Sequence, residues 1–308
     1  MKIIFAGTPD FAVPALQMLI ESEHEICAVY TQPDRPAGRG RKLSSSPVKT
    51  LALSAGIPVF QPETLKAEED LKQLALFEAD LVIVVAYGLI LPQAVLDIPS
   101  LGCINIHGSL LPRWRGAAPI HRALMAGDEK TGVTIMQVVK KLDAGDMLHK
   151  EECVITAENT SSDLHDTLAD LGAIGLKKVL AQIDAGTLHA EKQDESLVTY
   201  ADKLEKSESE LDWTLSAVEL DRKIRGLNSW PVAQTLYQGK VLRIWKSKVA
   251  EDKSSLSPGT VNQQGKRMSV VTGKGVLDLL EVQLPGKKRM DILAFLNAHD
   301  VDGIKLGE

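Results

Sequence analysis

The sequence predicts an α/β protein in which a doubly wound, mostly parallel sheet is followed by a smaller C-terminal β-barrel. The chain opens with an apolar strand, a tight turn and a helix, which is the order that begins doubly wound folds. Apolar, β-branched runs then alternate with helical patterns as far as residue 183. From residue 232 the pattern changes to short β-rich runs separated by turns, as is typical of a small barrel.

The first half of the chain supplies the predicted parallel sheet. Its strands are predicted at residues 2–6, 26–31, 57–60, 80–86, 102–104, 132–138 and 147–155. Its helices are predicted at residues 11–19, 68–77, 117–125 and 161–183. The run 81–86 is apolar throughout, as expected of a central strand that is covered on both faces. The first turn, Gly7-Thr8-Pro9-Asp10, is not a Gly-x-Gly-x-x-Gly fingerprint, so it supports the architecture without indicating a dinucleotide.

A polar stretch divides the second half from the first. Residues 188–210 mostly lose periodicity, which indicates a linker lying along the first domain. We therefore expect a first domain at residues 1–188, a linker at 189–208 and a second domain at 209–308. In the second domain, Asp212 is expected to cap a helix that runs to Arg225. The barrel strands are predicted at residues 233–236, 241–245, 259–261, 268–272 and 276–282.

Composition narrows the classes of protein to consider. With 44% apolar and 25% charged residues, the chain has the composition of an ordinary soluble globular protein. No apolar run approaches the ~18 residues that span a bilayer. The N-terminal Met1-Lys2-Ile3-Ile4-Phe5 enters a strand instead of a signal sequence. We therefore expect a cytoplasmic protein that makes no membrane contact.

Cysteine and histidine spacing gives no sign of a metal site. Cys27, Cys103 and Cys153 stand singly among apolar residues, and the seven histidines show no ligand spacing. We expect the three thiols to be buried as small hydrophobic groups, and we expect no metal.

The charge of the chain is unevenly distributed. The net charge of −6 argues against a generic nucleic-acid binder. From Lys206 onward, however, there are 16 basic and 13 acidic residues, against 19 and 28 before it. Alternating basic residues on the barrel form either a basic binding face or only the solvated side of its strands, and both readings stay open. These residues are Arg222, Lys223, Arg225, Lys240, Arg243, Lys246 and Lys248.

The stretch from Asn105 to Gly116 carries the most specific chemical signal. Asn105 and His107 fall where a strand ends and a loop begins, which is where open α/β sheets build their sites. Residues two apart on an extended strand point to the same face, so the amide and the imidazole can converge on one point. Such groups stabilise a developing oxyanion and handle a proton.

A second loop offers an acidic partner for this histidine. Leu142-Asp143-Ala144-Gly145-Asp146-Met147 follows another apolar, β-branched run, so its carboxylates also lie at a strand end. Either Asp143 or Asp146 could orient and charge His107, as carboxylates do in acid/base sites.

Residues 35–49 form a basic segment. They include five basic and no acidic residues, and their Gly, Ser and Pro content is expected to prevent a regular element. The segment is either a solvated surface or, in an otherwise acidic domain, a contact to phosphates. Arg39 lies between two glycines that let the backbone approach a ligand closely.

Asn105-x-His107, followed by Ser109-Leu110-Leu111-Pro112 and later by Asp143, resembles the motif of the folate-dependent formyltransferases. The continuation Leu-Pro-Arg-Trp-Arg-Gly-Ala-Ala-Pro-Ile resembles the members of that family that act on methionyl-tRNA. The likeness covers essentially the whole chain. It implies a Rossmann-like catalytic domain and a C-terminal barrel of OB-fold type that binds tRNA. It also implies transfer of a formyl group from 10-formyltetrahydrofolate to the α-amine of initiator methionyl-tRNA.

The same resemblance implies roles for individual residues. Asn105, His107 and Asp143 would be the catalytic residues. The folate co-substrate would contact Ser109, Leu110, Leu111, Pro112, Ile90 and Leu91. The end of the tRNA acceptor stem would be held by Arg39, Arg41 and Lys42. We expect the protein to act as a monomer.

Two alternatives remain open at the level of sequence. A formyltransferase that acts on a sugar amine or on glycinamide ribonucleotide would share the three catalytic residues, but would need neither the basic segment nor a basic barrel. An RNA-binding protein without activity would use the same scaffold, but would not require Asn105, His107 and Asp143 together.

Overall fold

A sheet of seven described strands organises the N-terminal part of the chain in the computed structural model, which describes residues 1–37, 42–252 and 254–308. The strands of this sheet, in chain order, are β1 (Lys2–Gly7), β2 (Glu25–Tyr30), β5 (Val59–Phe60), β6 (Leu81–Val85), β7 (Cys103–His107), β9 (Lys130–Gln137) and β10 (Met147–Val154). Two further pairs of short strands lie outside it: β3 (Arg35–Ala37) with β4 (Lys42–Ser44), and β8 (Arg115–Gly116) with β11 (Tyr200–Ala201).

The strand order of the large sheet is β10-β9-β7-β6-β1-β2-β5. The strands from β7 to β5 run parallel, whereas β9 is antiparallel to both β7 and β10. All five residues of β6 are buried, because β6 lies near the centre of the sheet. The predicted doubly wound, mostly parallel sheet is therefore confirmed.

The helices follow the predicted alternation, with three additions. They are α1 (Val13–Ile20), α2 (Pro47–Ser54), α3 (Glu68–Ala75), α4 (Gln93–Leu96), α5 (Pro119–Ala126), α6 (Ser161–Asp184), α7 (Ala217–Gly226) and α8 (Ile292–Leu296). Short 3₁₀ turns occupy Asp10–Ala12, Glu195–Leu197 and Lys206–Ser209. The α4 turn was not predicted, because four residues are too few to show a helical period.

The prediction that residues 35–49 lack regular structure is wrong at both ends of the segment. Its described ends pair as β3 and β4, and α2 begins at Pro47. Ser46 caps that helix, since its Oγ accepts a hydrogen bond from the Lys49 amide at 3.0 Å. A serine followed by proline at the first helical position is itself a helix-start signal.

The second sheet is antiparallel and lies in the C-terminal part of the chain. Its strands are β12 (Gln234–Tyr237), β13 (Lys240–Ala250), β14 (Val261–Gln264), β15 (Arg267–Val271), β16 (Val276–Gln283) and β17 (Met290–Asp291). They are ordered β12-β13-β16-β15-β14, with β17 also paired to β16. The predicted C-terminal β domain is confirmed.

Strand β13 is much longer than the predicted 241–245. Its register against β16 shifts between Ile244 and Lys246 and again between Lys246 and Ser247. Each shift interrupts the inside–outside alternation from which a strand is recognised in sequence, so the predicted strand ended too early. Bulges of this kind also curl a sheet, as a small barrel requires.

The helix that Asp212 was expected to cap begins four residues later, with Ser216 as its cap. Asp212 instead closes a turn, in which its Oδ1 accepts hydrogen bonds from the Thr214 amide and hydroxyl. The cap of α7 is Ser216, which forms a reciprocal capping box with Glu219.

The chain folds into two compact units. The first consists of Met1–Pro119, Lys130–Val154 and His165–Ala201, and the second of Ile120–Glu129, Ile155–Leu164 and Asp202–Glu308. Within the part of the chain that the structure describes, no helix is both long enough and apolar enough to cross a membrane.

Removal of the Ser216 cap should destabilise the second unit. We expect Ser216→Ala to lower the free energy of unfolding by about 1 kcal/mol, because the Glu219 amide loses its acceptor. Urea unfolding followed by tryptophan fluorescence measures this, since Trp213 lies in the same unit. Ser216→Asp keeps a capping oxygen and serves as the control. Equal losses in both variants would contradict the capping role.

Candidate active site

Strand β7 presents Asn105 and His107 to the same face of the parallel sheet. Asn105 pairs with Val84 of β6 on one side and with Met136 of β9 on the other. Asn105 is half-buried and His107 is 6% exposed. Their convergence on one face follows from the strand period of two, as the sequence predicted.

The His107 ring is held between oxygen atoms of two different loops. Its Nε2 lies 2.8 Å from the Trp114 carbonyl oxygen, and its Nδ1 lies 3.7 Å from Oδ2 of Asp143. A carbonyl oxygen only accepts hydrogen bonds, so Nε2 carries a proton and donates it to Trp114. The contacts on both ring nitrogens fix the plane and the position of the imidazole.

The loop after β7 is tightly folded against its own backbone. The Ser109 hydroxyl donates to the Arg113 carbonyl at 2.7 Å, and the Ser109 carbonyl accepts from the Thr134 hydroxyl at 2.7 Å. The Leu111 amide donates to that same hydroxyl at 3.0 Å. Thr134 of β9 therefore anchors both sides of the turn.

The Asp143 carboxylate is the candidate acid that the structure places beside His107. Its Oδ2 also accepts a hydrogen bond of 2.8 Å from the Gly116 amide. Because β9 runs antiparallel to β7, the shared strand edge assumed from the sequence does not explain this proximity. The loop 138–146 instead folds back, and Asp143 adopts a left-handed backbone with φ of 46°.

Left-handed backbone conformations border the site on three sides. Besides Asp143, Ala86 has φ of 46° and Trp114 has φ of 67°. Such conformations cost non-glycine residues roughly 1–3 kcal/mol each and persist only where the surroundings hold them. The three loops around β7 are therefore fixed by their contacts and not by backbone preference.

The residues predicted to contact folate differ in their exposure. Ser109 and Leu111 are each 1% exposed, and Leu111 packs against Met136 and Met147. Leu110 and Pro112 are half-buried. In the loop after β6, Ile90 is 86% exposed, and Leu91 packs partly buried against the core. The buried pair shapes the loop, while the other four leave apolar surface accessible.

A pocket of about 490 Å³ opens at the carboxyl ends of β1 and β6. The chain leaves β1 toward β2 on one side of the sheet and returns to β6 on the other, so this is the topological switch point of the fold. Thr8 and Ala86 line the pocket from these strand ends. Arg35 and Ser44, from the two described ends of the basic segment, line it from above.

The predicted tRNA-binding residues are largely outside the described chain. Arg39 and Arg41 lie outside the described residues, and of Lys42 the structure describes the backbone within β4. Two other basic residues of the segment have local partners. Lys49 bonds to Asp34 at 2.7 Å and Arg35 donates to Gln32 at 3.0 Å.

The cysteines do not offer a nucleophile to this site. Cys103 lies on β7, two residues before Asn105, and burial raises the pKa of its thiol to about 12. The thiol therefore stays neutral at physiological pH. Cys27 and Cys153 are half-buried, where burial of all three had been expected. Among the described residues, no group of three or more His, Cys, Asp and Glu is arranged to hold a metal ion.

Sequence reasoning missed the segment that braces the site from a distance. Thr199 accepts a hydrogen bond from the Trp114 amide through its hydroxyl and one from the Arg115 amide through its carbonyl, each at 2.9 Å. Glu195 accepts from the Arg115 guanidinium at 2.8 Å and from Lys141 at 2.7 Å. These partners are 54 to 85 residues apart, so no local sequence pattern indicates the contacts between them.

Comparison with known proteins assigns this geometry to a family. The family model described as "Formyl transferase" matches residues 1–180, and the one described as "Formyl transferase, C-terminal domain" matches residues 203–300. The chain belongs to the formyl transferase family. The resemblance that the motif at Asn105 indicated is thereby confirmed.

Individual formyl transferases agree with this assignment. A methionyl-tRNA formyltransferase from Methylococcus capsulatus is 55% identical over 307 residues, covering 100% of both chains. The structure of WlaRD, a sugar 3N-formyl transferase, has a TM-score of 0.69 at 17% identity, over 94% of this chain and 99% of its own. An N-formyltransferase from Helicobacter canadensis gives 0.68 at 16% identity, over 91% and 98%. At these identities, the two structures show the fold alone.

The ion pairs of Glu195 should give the stability of this formyl transferase a distinct acid dependence. Hydrogen bonds from Arg115 and then from Lys141 hold the pKa of Glu195 at about 2 in the folded protein, below its ordinary 4.5. Because the folded-state pKa is the lower one, the stabilisation is complete above about pH 4.5 and is lost as the pH falls toward 2.

Comparison of the wild type with Glu195→Gln tests this dependence. The difference between their urea midpoints should stay constant from pH 8 to about pH 5.5 and shrink below about pH 4.5. A difference that is the same at pH 3.5 and pH 7 would show that the carboxylate charge does not contribute through these pairs.

Proposed function

We propose that this chain transfers the formyl group of 10-formyltetrahydrofolate to the α-amine of initiator methionyl-tRNA in the cytoplasm, giving N-formylmethionyl-tRNA. The observation that carries the proposal is the arrangement of Asn105, His107 and Asp143 around the end of β7 in a chain of the formyl transferase family. The full-length relative of 55% identity supports methionyl-tRNA as the acceptor.

The chemistry is an attack of the neutral amine on the formyl carbon. The nitrogen lone pair forms the new C–N bond, the carbonyl oxygen becomes negative, and collapse breaks the bond to N10 of the folate. The attacking nitrogen loses one proton and the leaving nitrogen gains one. An α-amine titrates at about 7.7–8.0, so a large fraction is already neutral at physiological pH. No covalent enzyme intermediate is needed, which agrees with the neutral thiol of Cys103.

Stabilisation of the oxyanion is the task we assign to Asn105 and His107. The Asn105 amide and a protonated ring nitrogen of His107 supply donors, and the Asp143 carboxylate holds the other ring nitrogen. The Nε2 proton is directed at the Trp114 carbonyl. Formation of the reactive complex therefore requires the imidazole to exchange that carbonyl for the formyl oxygen.

The folate side of the site is assigned to the two apolar loops. Exposed Ile90 and the half-buried side chains of Leu91, Leu110 and Pro112 offer an apolar surface beside β7. Such a surface suits the flat ring system of a folate, which buries best against apolar side chains. Ser109 and Leu111 act by setting the loop conformation.

The tRNA side is assigned to the basic segment and to the pocket that it borders. Arg39, Arg41 and Lys42 are proposed to grip phosphates of the acceptor stem. Because Arg35 and Ser44 line the pocket at β1 and β6, a stem held by this segment brings its aminoacylated end to that pocket.

The second domain is proposed to hold the acceptor arm through β13. Its basic residues Lys240, Arg243, Lys246 and Lys248 are exposed. By contrast, Arg225 of α7 pairs with Asp221 at 2.8 Å. We retain the division into domains at residues 1–188 and 209–308 joined by 189–208, and a monomeric state, as parts of this proposal.

Loss of the imidazole should abolish efficient turnover. We expect His107→Ala to lower kcat with initiator methionyl-tRNA and 10-formyltetrahydrofolate by roughly 100- to 1000-fold, the usual effect of removing one oxyanion donor. The exposed His189 provides the control, His189→Ala, which should retain wild-type kcat. Equal kcat in wild type and His107→Ala would remove His107 from the chemistry.

Loss of the Arg39 side chain should weaken tRNA binding and leave the chemical step unchanged. We expect Arg39→Ala to raise KM for the tRNA and to flatten the log–log dependence of tRNA affinity on salt by roughly one unit, because one phosphate contact disappears. Arg267→Ala, on an exposed strand position paired with Asp252 and Asp278, is the control. If the wild type does not formylate the tRNA but formylates an amino sugar, the assignment of the catalytic residues is retained and the assignment of methionyl-tRNA as the acceptor is wrong.

A further inference from the structure

Gln193 lies in the predicted linker, yet it is buried against the loop that carries Asp143. Only 9% of the residue is exposed. Its Nε2 donates two hydrogen bonds of 2.8 Å, to the carbonyl oxygens of Asp143 and Gly145. Its Oε1 accepts from Nε and Nη2 of Arg115, at 3.0 and 2.9 Å. The amide therefore uses both of its donors and its acceptor.

Arg115 fixes the orientation of this amide. The side chain of Arg115 is fully buried, and a guanidinium has donors only. The Gln193 oxygen must face it, so the two N–H groups must face the loop carbonyls. Rotation of the amide by half a turn would place donors against donors and acceptors against acceptors.

The Asp143 loop needs an external donor to hold its shape. Asp143 has φ of 46°, and a Cβ at Gly145 would overlap the Gln137 carbonyl oxygen. The Asp143 and Gly145 carbonyls both turn toward the Gln193 amide. Without that amide, the part-buried Asp143 carbonyl and the buried Gly145 carbonyl would lose the donor that holds them.

We propose that Gln193 is a positioning residue for formyl transfer, which acts by holding the Asp143 carboxylate against His107. The Gly116 amide and the Gln193 amide grip Asp143 from its side chain and its backbone, so the separation of 3.7 Å between Asp143 and His107 depends on both. The inference deepens the proposed function and rests on it for its kinetic part. Its structural part is independent of which amine is formylated.

The competing explanation is that Gln193 merely satisfies the buried guanidinium. The variant Gln193→Glu separates the two. A carboxylate of the same shape still accepts from Arg115, but it presents no donor to the loop carbonyls. A purely structural role predicts that this variant is stable and fully active. The positioning role predicts a folded protein with a displaced Asp143.

The experiment compares wild type, Gln193→Glu and Gln193→Met, with Gln263→Glu as the matched control. On β14, the Gln263 side chain donates a hydrogen bond to the Gly265 carbonyl and accepts one from the Val301 amide. For Gln193→Glu we expect kcat to fall roughly 10- to 100-fold, KM for tRNA to change less than about threefold, and Tm to fall less than in Gln193→Met, because the carboxylate still accepts from Arg115. Gln193→Met should lower both kcat and Tm, since the Arg115 guanidinium loses its two hydrogen bonds to Gln193.

Two further readouts make the outcome decisive. Asp143→Asn combined with Gln193→Glu should be no slower than Asp143→Asn alone, because Gln193 acts through Asp143. Hydrogen exchange of the Gly116 amide, which reports on the Asp143 carboxylate, should accelerate in Gln193→Glu and not in Gln263→Glu. Additive rate losses, or unchanged kcat with unchanged exchange, would overturn the proposal. If the wild type formylates no tRNA, the proposed function fails, and the exchange rate alone decides the role of Gln193.

Discussion

The candidate site depends on holding one buried imidazole between two oxygen atoms that belong to separate loops. His107 can be fixed on β7 by the sheet, but the Trp114 carbonyl and the Asp143 carboxylate cannot, since neither loop is regular structure. Both residues also have left-handed backbone conformations that their own side chains disfavour. The geometry around the ring is therefore only as stable as the contacts that hold these loops from outside.

Those contacts come from a part of the chain that neither family model covers. Gln193, Glu195 and Thr199 brace the loops, while the two family models end at residue 180 and resume at residue 203. The bonds join positions about 80 residues apart, so they form only after the chain beyond α6 has packed back onto the sheet. Residues of the segment predicted as a linker thus take part in the contacts that shape the site.

Elements with a regular hydrophobic period could be predicted from the sequence. Features that depend on contacts between distant residues could not. Strand β6 was recognisable because burial on both faces makes it apolar throughout, and β7 because its strand period aligns Asn105 with His107. Strand β13 was cut short because its bulges reset the alternation. The choice between Asp143 and Asp146 was not available from sequence, since an antiparallel β9 places the loop by folding back, and the hydrogen bonds that direct this come from distant residues. The helix at Pro47, by contrast, was readable from Ser46-Pro47, and the basic charges around it obscured the signal.

Charge counts from sequence likewise overstate the surface available to a polyanion. Within the basic segment, Lys49 is paired with Asp34 and Arg35 donates to Gln32, so neither side chain is a free surface charge. On α7, burial lowers the pKa of Lys223, whose ammonium donates to the Glu210 carbonyl. In the second unit, four exposed basic side chains lie within the eleven residues of β13, and the exposed Lys287 and Lys288 precede β17. The net charge of −6 therefore does not describe the local potential, because the charges that act at the surface are those that the fold leaves exposed there.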